Sequence, residues 1–347
     1  MKAQLRLFIE EKKKEGCAKL PTDRKLCEIF GVSRPTIAKH LAMLASEGAI
    51  IRKHGSGTYI VGCDTRVAPI TIGLGLRNAL LYTDAYFGKL MNSVSRACQS
   101  SNANIQIFDS LVNIFKSNEH SNSLTKSIAS GILDGFLLAS RMPPEISGAI
   151  CRNIPTVTIN NIIDTGSAIN VSCDYFKSGF LAAEHLCHMG HKNIAFAAYS
   201  ANHPDVWRNL SGAQCALRSA GIPFSEDSVV FLNGLPGKQV ETFLEFRKQN
   251  KATAIYFINS MSVDFYKKLI QADKDIPRDL SIISAGDFGA CERFELTAID
   301  TKIKEVCERG VNLLCKKLRK EPIANNFHIV QPELIERSSV KKISNAS

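Results

Sequence analysis

The most constraining feature of this sequence is a pair of short helical segments on either side of a glycine, within residues 20–61 (LPTDRKLCEIFGVSRPTIAKHLAMLASEGAIIRKHGSGTYIV). Thr22 is a residue type that begins helices, and Gly31 is typical of a helix end. Ser33 and Pro35 then suit the start of the next helix. We therefore predict two helices joined by a tight turn. Their apolar residues recur at helical spacing: Leu26, Ile29, Phe30, Ile37, Leu41 and Leu44.

A further helix precedes this pair, and a strand hairpin follows it. Gly48 suits the end of the last helix, and apolar segments at 50–51 and 59–61 read as strands around the turn at 55–57. Two helices joined by a glycine turn place the second helix in the DNA major groove, and the hairpin forms a wing. The segment therefore predicts a winged helix-turn-helix. The apolar face of the first helix consists of Leu5, Phe8 and Ile9.

The positive charge of the chain is concentrated in this segment. Residues 1–62 hold 12 Lys and Arg against 6 Asp and Glu, which is +6 of the +10 net charge of all 347 residues. A small basic module ahead of a nearly balanced body indicates a polyanionic partner. A solvated basic surface without a partner is the alternative, and charge alone does not decide between them.

The same residues resemble the GntR family of bacterial winged-helix regulators, whose pattern runs Leu-Pro-Ser-Glu-Arg, Phe-Gly-Val-Ser-Arg, Leu…Glu-Gly and Gly-x-Gly-Thr. The resemblance implies that Arg34 reaches a guanine edge and that Thr36 touches a phosphate or a thymine methyl. Ala38 stands where the family often has Arg, so the operator sequence is not transferable. The DNA-binding residues implied by the resemblance are Arg24, Ser33, Arg34, Thr36, Lys39, His40, His54, Gly55, Ser56, Gly57 and Thr58.

After a polar linker at 63–69, apolar and helical segments alternate along the chain. Such alternation predicts parallel sheets with helices on both faces, and residues 70–347 are enough for two sheets. Ligands of such folds bind beyond the carboxyl ends of the strands. The predicted strands are 70–76, 105–108, 135–140, 155–160, 193–198, 228–232, 254–259 and 280–286.

This body resembles the sugar-binding-protein-like sensor domain of LacI-type repressors. The clearest match is residues 174–198, DYFKSGFLAAEHLCHMGHKNIAFAA, and others include IPRDLSIISAGD at 276–287. The resemblance implies an α/β domain with two lobes over residues 70–340, and the whole chain resembles arabinose-repressor-type hybrid regulators. The implied pieces are a DNA-binding domain at 1–62, one lobe at 70–173 and 300–328, a second at 174–299 and 329–340, and a tail at 341–347.

The resemblance also implies an effector site between the lobes. Two positions depart from the family pattern: Asn209 stands where a ligand-binding Arg is usual, with Arg208 beside it, and Gly286 replaces the first Asp of Gly-Phe-Asp-Asp. Trp207, the only Trp, is either a stacking platform or a core residue. The implied effector-binding residues are Tyr86, Phe87, Asn160, Trp207, Arg208, Asn209, Asn259 and Asp287.

Other chemistry is poorly supported by the sequence. His185, His188 and His191 invite a metal site, but two of them belong to the sensor-family pattern, so we expect neither a metal nor a cofactor. We find no catalytic set and no apolar run of the ~18 residues that a membrane span requires. Glu10 and Glu11 lie where a signal peptide is apolar, so we expect a cytoplasmic protein. Eleven scattered cysteines read as free thiols.

The sequence thus predicts a ligand-responsive transcription regulator and not an enzyme. We expect a repressor of carbohydrate-utilisation genes that binds a palindromic double-stranded DNA operator as a homodimer and takes a small sugar or sugar derivative as effector. A solute receptor that serves a transporter, or an enzyme fused to a GntR-type module, are the alternatives.

Overall fold

The computed structural model describes residues 1–14, 19–53, 57–61, 70–77, 85–112, 123–273 and 278–343. Contacts between residues divide the chain into two units, Met1–Pro69 and Ile70–Ser347. The linker predicted at 63–69 and the last four residues of the predicted tail lie outside the described residues.

Three helices and a hairpin make up the first unit. The helices are α1 (Lys2–Lys14), α2 (Asp23–Phe30) and α3 (Arg34–Ser46). Strands β1 (Ile50–Lys53) and β2 (Gly57–Ile60) pair antiparallel. The order is that of a winged helix-turn-helix, as the sequence predicts.

The core of this unit follows the predicted apolar spacing with one exception. Ile29 is 47% exposed, because the inward line of α2 runs through Leu26 and Phe30. Phe30 packs edge-on against Phe8 with ring centroids 5.4 Å apart. The fully buried residues are Leu5, Ile9, Leu20, Leu26, Ile37, Leu41, Leu44, Ile50 and Ile60.

The turn between α2 and α3 uses the predicted residues in a slightly different way. The Thr22 hydroxyl accepts a hydrogen bond from Lys25 N (3.3 Å), and Gly31 adopts the left-handed conformation that ends α2. The Ser33 hydroxyl makes no bond to the backbone of α3 and instead lies 2.8 Å from the Thr36 hydroxyl. Ser33 therefore does not cap α3 through its side chain, contrary to prediction.

Two six-stranded sheets form the second unit. The first has the order β13-β7-β6-β5-β3-β4, and all its pairs are parallel. Its strands are nearly all apolar because helices cover both faces. They are β3 (Ile70–Gly75), β4 (Ala103–Phe108), β5 (Gly135–Leu138), β6 (Thr156–Ile159), β7 (Ile169–Cys173) and β13 (Phe327–Val330).

The second sheet has the order β14-β12-β11-β10-β8-β9 and is parallel except for β14, which pairs antiparallel with β12 at one edge. Its strands are β8 (Ile194–Ala198), β9 (Val229–Phe231), β10 (Ala254–Phe257), β11 (Ser281–Ala285), β12 (Thr297–Asp300) and β14 (Glu333–Ile335). The α-helices of this unit are Ala85–Ser100, Ser123–Ala129, Pro144–Asn153, Tyr175–His188, Pro204–Ser219, Pro236–Gln249, Val263–Ala272, Ala290–Arg293 and Ile303–Leu318.

The chain passes between the two sheets three times: after β7, after β12, and between β13 and β14. The third passage lies at Gln331 and Pro332, two residues beyond the predicted boundary, because β13 stays paired with β7 as far as Val330. A further link is made by side chains, since Lys89 pairs with Glu292 (Nζ–Oε1 2.7 Å) and lies over the ring of Phe288.

Two glycines let the helices Tyr175–His188 and Pro204–Ser219 cross in direct backbone contact. A Cβ at Gly179 would lie 1.9 Å from the carbonyl oxygen of Asn209, and a Cβ at Gly212 would lie 1.9 Å from that of Phe176. Any side chain at either position would force the helices apart. The crossing fixes the position of the helix Pro204–Ser219, whose first residues line the cavity described below.

Candidate functional site

The start of α3 presents exposed cations to solvent. Arg34 and Lys39 are exposed, and no carboxylate of the described residues pairs with either. Arg24, at the start of α2, is 91% exposed and only loosely paired with Glu28 at 3.7 Å. Such cations are free to contact the phosphates and base edges of DNA.

Two other predicted residues of α3 are half-buried. Thr36 is held by the Ser33 hydroxyl, and His40 buries its Nδ1 without a partner among the described residues. His40 therefore contributes less accessible surface than Arg34 or Lys39.

The wing is described only in part. His54, Gly55 and Ser56 lie outside the described residues, and Gly57 is exposed at the start of β2. Thr58 is 5% exposed, because β2 turns its side chain inward, and its carbonyl oxygen accepts a hydrogen bond from Leu20 N (2.9 Å). The Thr58 side chain therefore does not face solvent, and the DNA contact named for this residue stays a prediction.

Lys19 is a cation of this region that the sequence reasoning missed. It bridges to Tyr59 of β2 and lies so close to Gly57 that a Cβ there would be 2.7 Å from its Cε. Little in the sequence pointed to Lys19, since it lies outside the helices and outside the family pattern, which begins at Leu20. It adds a positive charge beside the wing.

The second unit contains a cavity of about 330 Å³ at the carboxyl ends of the strands of both sheets. Tyr86, Asn160, Arg208 and Asn259 line it, as predicted. The position agrees with the rule that ligands of open parallel sheets bind beyond the carboxyl ends of strands. The cavity volume is at the lower end of the range of small-molecule sites.

Asn209 and Trp207 do not line this cavity. Asn209 is 1% exposed; its Oδ1 accepts from the Tyr256 hydroxyl (2.9 Å) and its Nδ2 donates to the carbonyl oxygen of Asp205 (2.9 Å). Trp207 is half exposed on another side of its helix, where its Nε1 donates to Ala201 O (2.8 Å). Of the three successive residues of this helix, only Arg208 therefore lines the cavity, and ligand contacts by Trp207 and Asn209 stay a prediction.

Phe87 and Asp287 also lie away from the cavity lining. Phe87 packs against the core of the first sheet. Asp287 forms an ion pair with Arg337 at 2.7 Å, which holds its carboxylate in the second sheet's half of the unit. Both were predicted from family position, which gives the loop but not the direction of each side chain.

Several lining residues escaped the sequence reasoning. Tyr175 begins a helix at the first chain passage, and His203 and Asp205 surround the start of the helix Pro204–Ser219. The sequence could have indicated these residues, because they follow soon after strands, as most of the lining residues do. Missed lining residues include Ser140, Arg141, Tyr175, Tyr199, His203, Asp205 and Thr301.

Two asparagines offer hydrogen-bond donors to the cavity. Asn160 has a positive φ of 49°, and its Oδ1 accepts from Cys173 N (3.0 Å), which leaves Nδ2 buried without a partner among the described residues. The Oδ1 of Asn259 accepts from Tyr199 N (2.9 Å). A buried donor without a partner is costly, so a ligand oxygen at Asn160 Nδ2 would be favoured.

Burial shifts the acid–base groups of the cavity. It raises the pKa of the Asp205 carboxyl, although Arg208 (Nη1–Oδ1 3.3 Å), His203 and Arg141 oppose this. Burial also lowers the pKa of His203, opposed by Asp205 and reinforced by the charges of Arg141 and Arg77. His203 is therefore neutral at pH 7, and Asp205 is balanced by Arg208.

The histidines considered as metal ligands make other contacts. His191 lies with Nδ1 2.9 Å from the Thr253 hydroxyl and Nε2 3.1 Å from Lys341 O, and His185 is 3.9 Å from Glu336. Across the described ranges, no three His, Cys, Asp or Glu residues come together as metal ligands. In that same part of the chain, no helix has the length and apolar character of a membrane span.

Comparison with known families identifies both units. Residues 2–60 match the family described as bacterial regulatory proteins, gntR family, and residues 183–340 match the periplasmic binding protein-like domain. An arabinose metabolism transcriptional repressor of Geobacillus stearothermophilus is 22% identical over 337 residues, which is 94% of this chain and 92% of the relative.

Solved structures share the fold of the second unit. The transcription regulator CcpA of Lactococcus lactis has a TM-score of 0.67 and 21% identity, covering 79% of this chain and 100% of its own. A LacI family regulator from Enterococcus faecium with bound ribose has a TM-score of 0.66 and 21% identity, with the same coverage. At this identity, the likeness establishes the fold.

Proposed function

We propose that this chain, in which a gntR-type DNA-binding domain precedes a periplasmic-binding-protein-like domain, is a transcription repressor that responds to a small sugar or sugar derivative. The observation that carries the proposal is that exposed cations, Arg34 and Lys39, lie on α3 of the first unit while the second unit contains a polar cavity. One part suits DNA and the other suits a small polar molecule. The names of the relatives, which include arabinose metabolism repressors, support carbohydrate-utilisation genes as the target.

On DNA, α3 lies in the major groove with Arg34 at a base edge and Arg24 at a phosphate. Arg34 is suited to base readout because its guanidinium is exposed and unpaired among the described residues. A single winged helix reads a short half-site, so a homodimer on a palindromic operator doubles the contact. The protein acts in the cytoplasm, where that DNA is.

In the cavity, the sugar is held by donors from both sheets. Asn160 follows a strand of the first sheet and Asn259 a strand of the second, while Tyr86 supplies an aromatic face. A ligand that contacts both halves favours the arrangement in which they are close together. The cavity works by binding and not by catalysis, and its occupancy changes the affinity for the operator, with a coupling of about 1–3 kcal/mol as is usual.

The test is an operator titration with and without a bound sugar. Thermal shift against neutral and charged pentoses and hexoses, with arabinose and ribose among them, identifies a ligand, and the DNA just upstream of the gene supplies the operator. Asn259→Ala should lose the ligand response and keep ligand-free DNA binding. Asn92→Ala, an exposed change on the helix Ala85–Ser100, is the matched control.

Two results would refute parts of this proposal. A ligand that binds and leaves operator affinity unchanged removes the regulatory role of the cavity. Light scattering that shows only monomer at micromolar concentration, with and without operator, removes the dimer.

A further inference from the structure

One cation that lines the cavity forms no ion pair within the described residues, although the Asp205 carboxylate is near enough to feel its charge. Arg141 follows β5 and lines the cavity, and in the described parts of the chain no carboxylate lies within ion-pair distance of it. Arg208 differs, because Asp205 pairs with it at 3.3 Å. The two arginines of the cavity are therefore not equivalent: one is neutralised by the protein and the other is available.

A second unpaired arginine stands near the first. Arg77 follows β3, the neighbour of β5 in the first sheet, and it too has no ion pair among the described residues. The charges of Arg77 and Arg141 both act on His203, and of these three residues Arg141 and His203 line the cavity. The lowered pKa of His203 keeps its ring neutral at pH 7, so the positive charge on this part of the cavity comes from the arginines.

The positive charge of Arg141 affects the binding energy most when a ligand displaces water from the cavity. Arg141 is exposed in the empty protein, where water solvates its guanidinium. A neutral sugar that displaces this water offers only hydroxyl oxygens to the guanidinium, and hydrogen bonds between a cation and a neutral acceptor are weaker than those to an anion. An anionic group on the sugar would instead form charge-assisted hydrogen bonds, often two in parallel, to the guanidinium.

The rest of the lining suits the neutral part of such a ligand. Asn160 Nδ2 offers an unpartnered donor, and Tyr86 offers an aromatic face. The helix Pro204–Ser219 begins at the cavity, and His203, its N-cap, makes no side-chain capping bond. A helix N-terminus adds a partial positive charge. The volume of about 330 Å³ favours a monosaccharide derivative over an oligosaccharide.

We propose that the effector is a monosaccharide derivative with one anionic group, a sugar carboxylate or a sugar phosphate ester, and that this group is bound by Arg141. The inference rests on the proposed function and names its ligand class. Arg141 acts here as a specificity-determining residue, since a sugar without the anion would lose its strongest partner.

Matched ligands test the inference. Each of several pentoses and hexoses is titrated calorimetrically as the neutral sugar, the corresponding sugar acid and the phosphate ester, at constant ionic strength. Inorganic phosphate and acetate serve as bare-anion probes in thermal shift. The wild-type protein should bind one anionic form at least 10-fold more tightly than its neutral parent, and the acid and ester arms identify which anion it takes.

Substitution locates the anion. Arg141→Gln should weaken binding of the anionic form by roughly 10- to 100-fold, the loss expected for a hydrogen bond to a charged group, and leave neutral sugars within about twofold. Arg218→Gln, an exposed change near the end of the helix Pro204–Ser219, should leave both unchanged. Equal thermal stability of the ligand-free variants shows that both are folded.

The outcomes separate this inference from the proposed function. A neutral sugar that binds more tightly than its acid and ester, and shifts operator affinity, overturns the inference and leaves the proposed function intact. Anion binding that survives Arg141→Gln also overturns it. If no sugar and no bare anion stabilises the protein, both fail.

Discussion

Arg24 and Arg34 are both exposed arginines at helix starts, but their positions give them different tasks. Arg34 is the first residue of α3, the helix that we propose lies in the major groove, and Arg24 lies in the first turn of α2. A base contact discriminates between sequences, whereas a phosphate contact strengthens binding to all of them. The two roles can be told apart by replacing each arginine with alanine, because both substitutions remove one positive charge and differ only in the contact that is lost.

We predict that Arg34→Ala loses roughly 1–3 kcal/mol of preference at one base position of the operator. Arg24→Ala should weaken binding to all sequences similarly and reduce the salt slope by about one. Titration of both variants against single-base operator variants at several salt concentrations checks this. Indistinguishable specificity profiles would show that the assigned roles are wrong.

Asn209 and Arg208 illustrate what sequence reasoning misses at this scale. Both residues lie in the helix Pro204–Ser219, where successive side chains are rotated by about 100° around the axis. Asn209 meets the Tyr256 hydroxyl, a contact between residues 47 apart in sequence. Such contacts leave no local pattern, so the family position named both neighbours without showing which of them lines the cavity.

Asn209→Ala should therefore destabilise the protein and not act through the ligand. It would leave the buried Tyr256 hydroxyl without its partner, at a cost of about 1–3 kcal/mol. Gln214→Ala, an exposed change on the same helix, should stay within about 0.5 kcal/mol. Urea unfolding of both variants measures the difference, and an unchanged stability for Asn209→Ala would contradict the structural role.

At the scale of elements, the contact between the helices Tyr175–His188 and Pro204–Ser219 depends on two glycines. The crossing holds the helix that carries Asp205 and Arg208, so its distance matters to the cavity. Neither contact could be read from the sequence, because each glycine meets the backbone of a residue on the other helix.

Gly212→Ala should destabilise the protein by about 1–3 kcal/mol or more, since the added methyl meets the backbone of Phe176 and neither side is flexible. Gly88→Ala is the matched control, because a Cβ at Gly88 meets nothing within 4 Å in the helix Ala85–Ser100. It should stabilise by up to about 1 kcal/mol. Thermal unfolding of both variants checks the opposite signs, and equal effects would contradict the packing argument.

The sequence predicted the winged helix and the alternating body, and both are confirmed by the fold and by the two family matches. It did not predict β7, although all five of its residues are buried. Asn170 interrupts its apolar run, and its Oδ1 accepts from the Thr158 hydroxyl (2.9 Å) and from Ile163 N (2.7 Å). Tertiary partners make this polar residue acceptable in a buried strand, which a local pattern cannot show.

At the scale of the whole molecule, three histidines with lowered pKa link stability to pH. Burial lowers the pKa of His185, His191 and His203 from the ordinary value. As pH falls through about 6.5, the unfolded chain binds protons at these positions before the folded chain does. Stability therefore rises with pH in this window and is lost on acidification.

We expect a lower melting temperature at pH 5.5 than at pH 7.5, and a smaller difference for His191→Gln, which removes one of the three groups. His191 is the most buried of them, at 2% exposed. Asp205 works in the opposite direction, because its pKa is raised, but it does so at the acidic end of the window. Parallel pH profiles for the variant and the wild type would show that His191 does not contribute.

The ion pair between Lys89 and Glu292 has a consequence for how firmly the two halves of the second unit are joined. Both side chains are 40% exposed or more, and an ion pair in water contributes about 1 kcal/mol at most. That free energy changes the equilibrium between joined and separated halves by a factor of about five at most. The pair therefore contributes little by itself, and the junction depends equally on the other contacts of Lys89, with the carbonyl oxygen of Asp287 and the ring of Phe288.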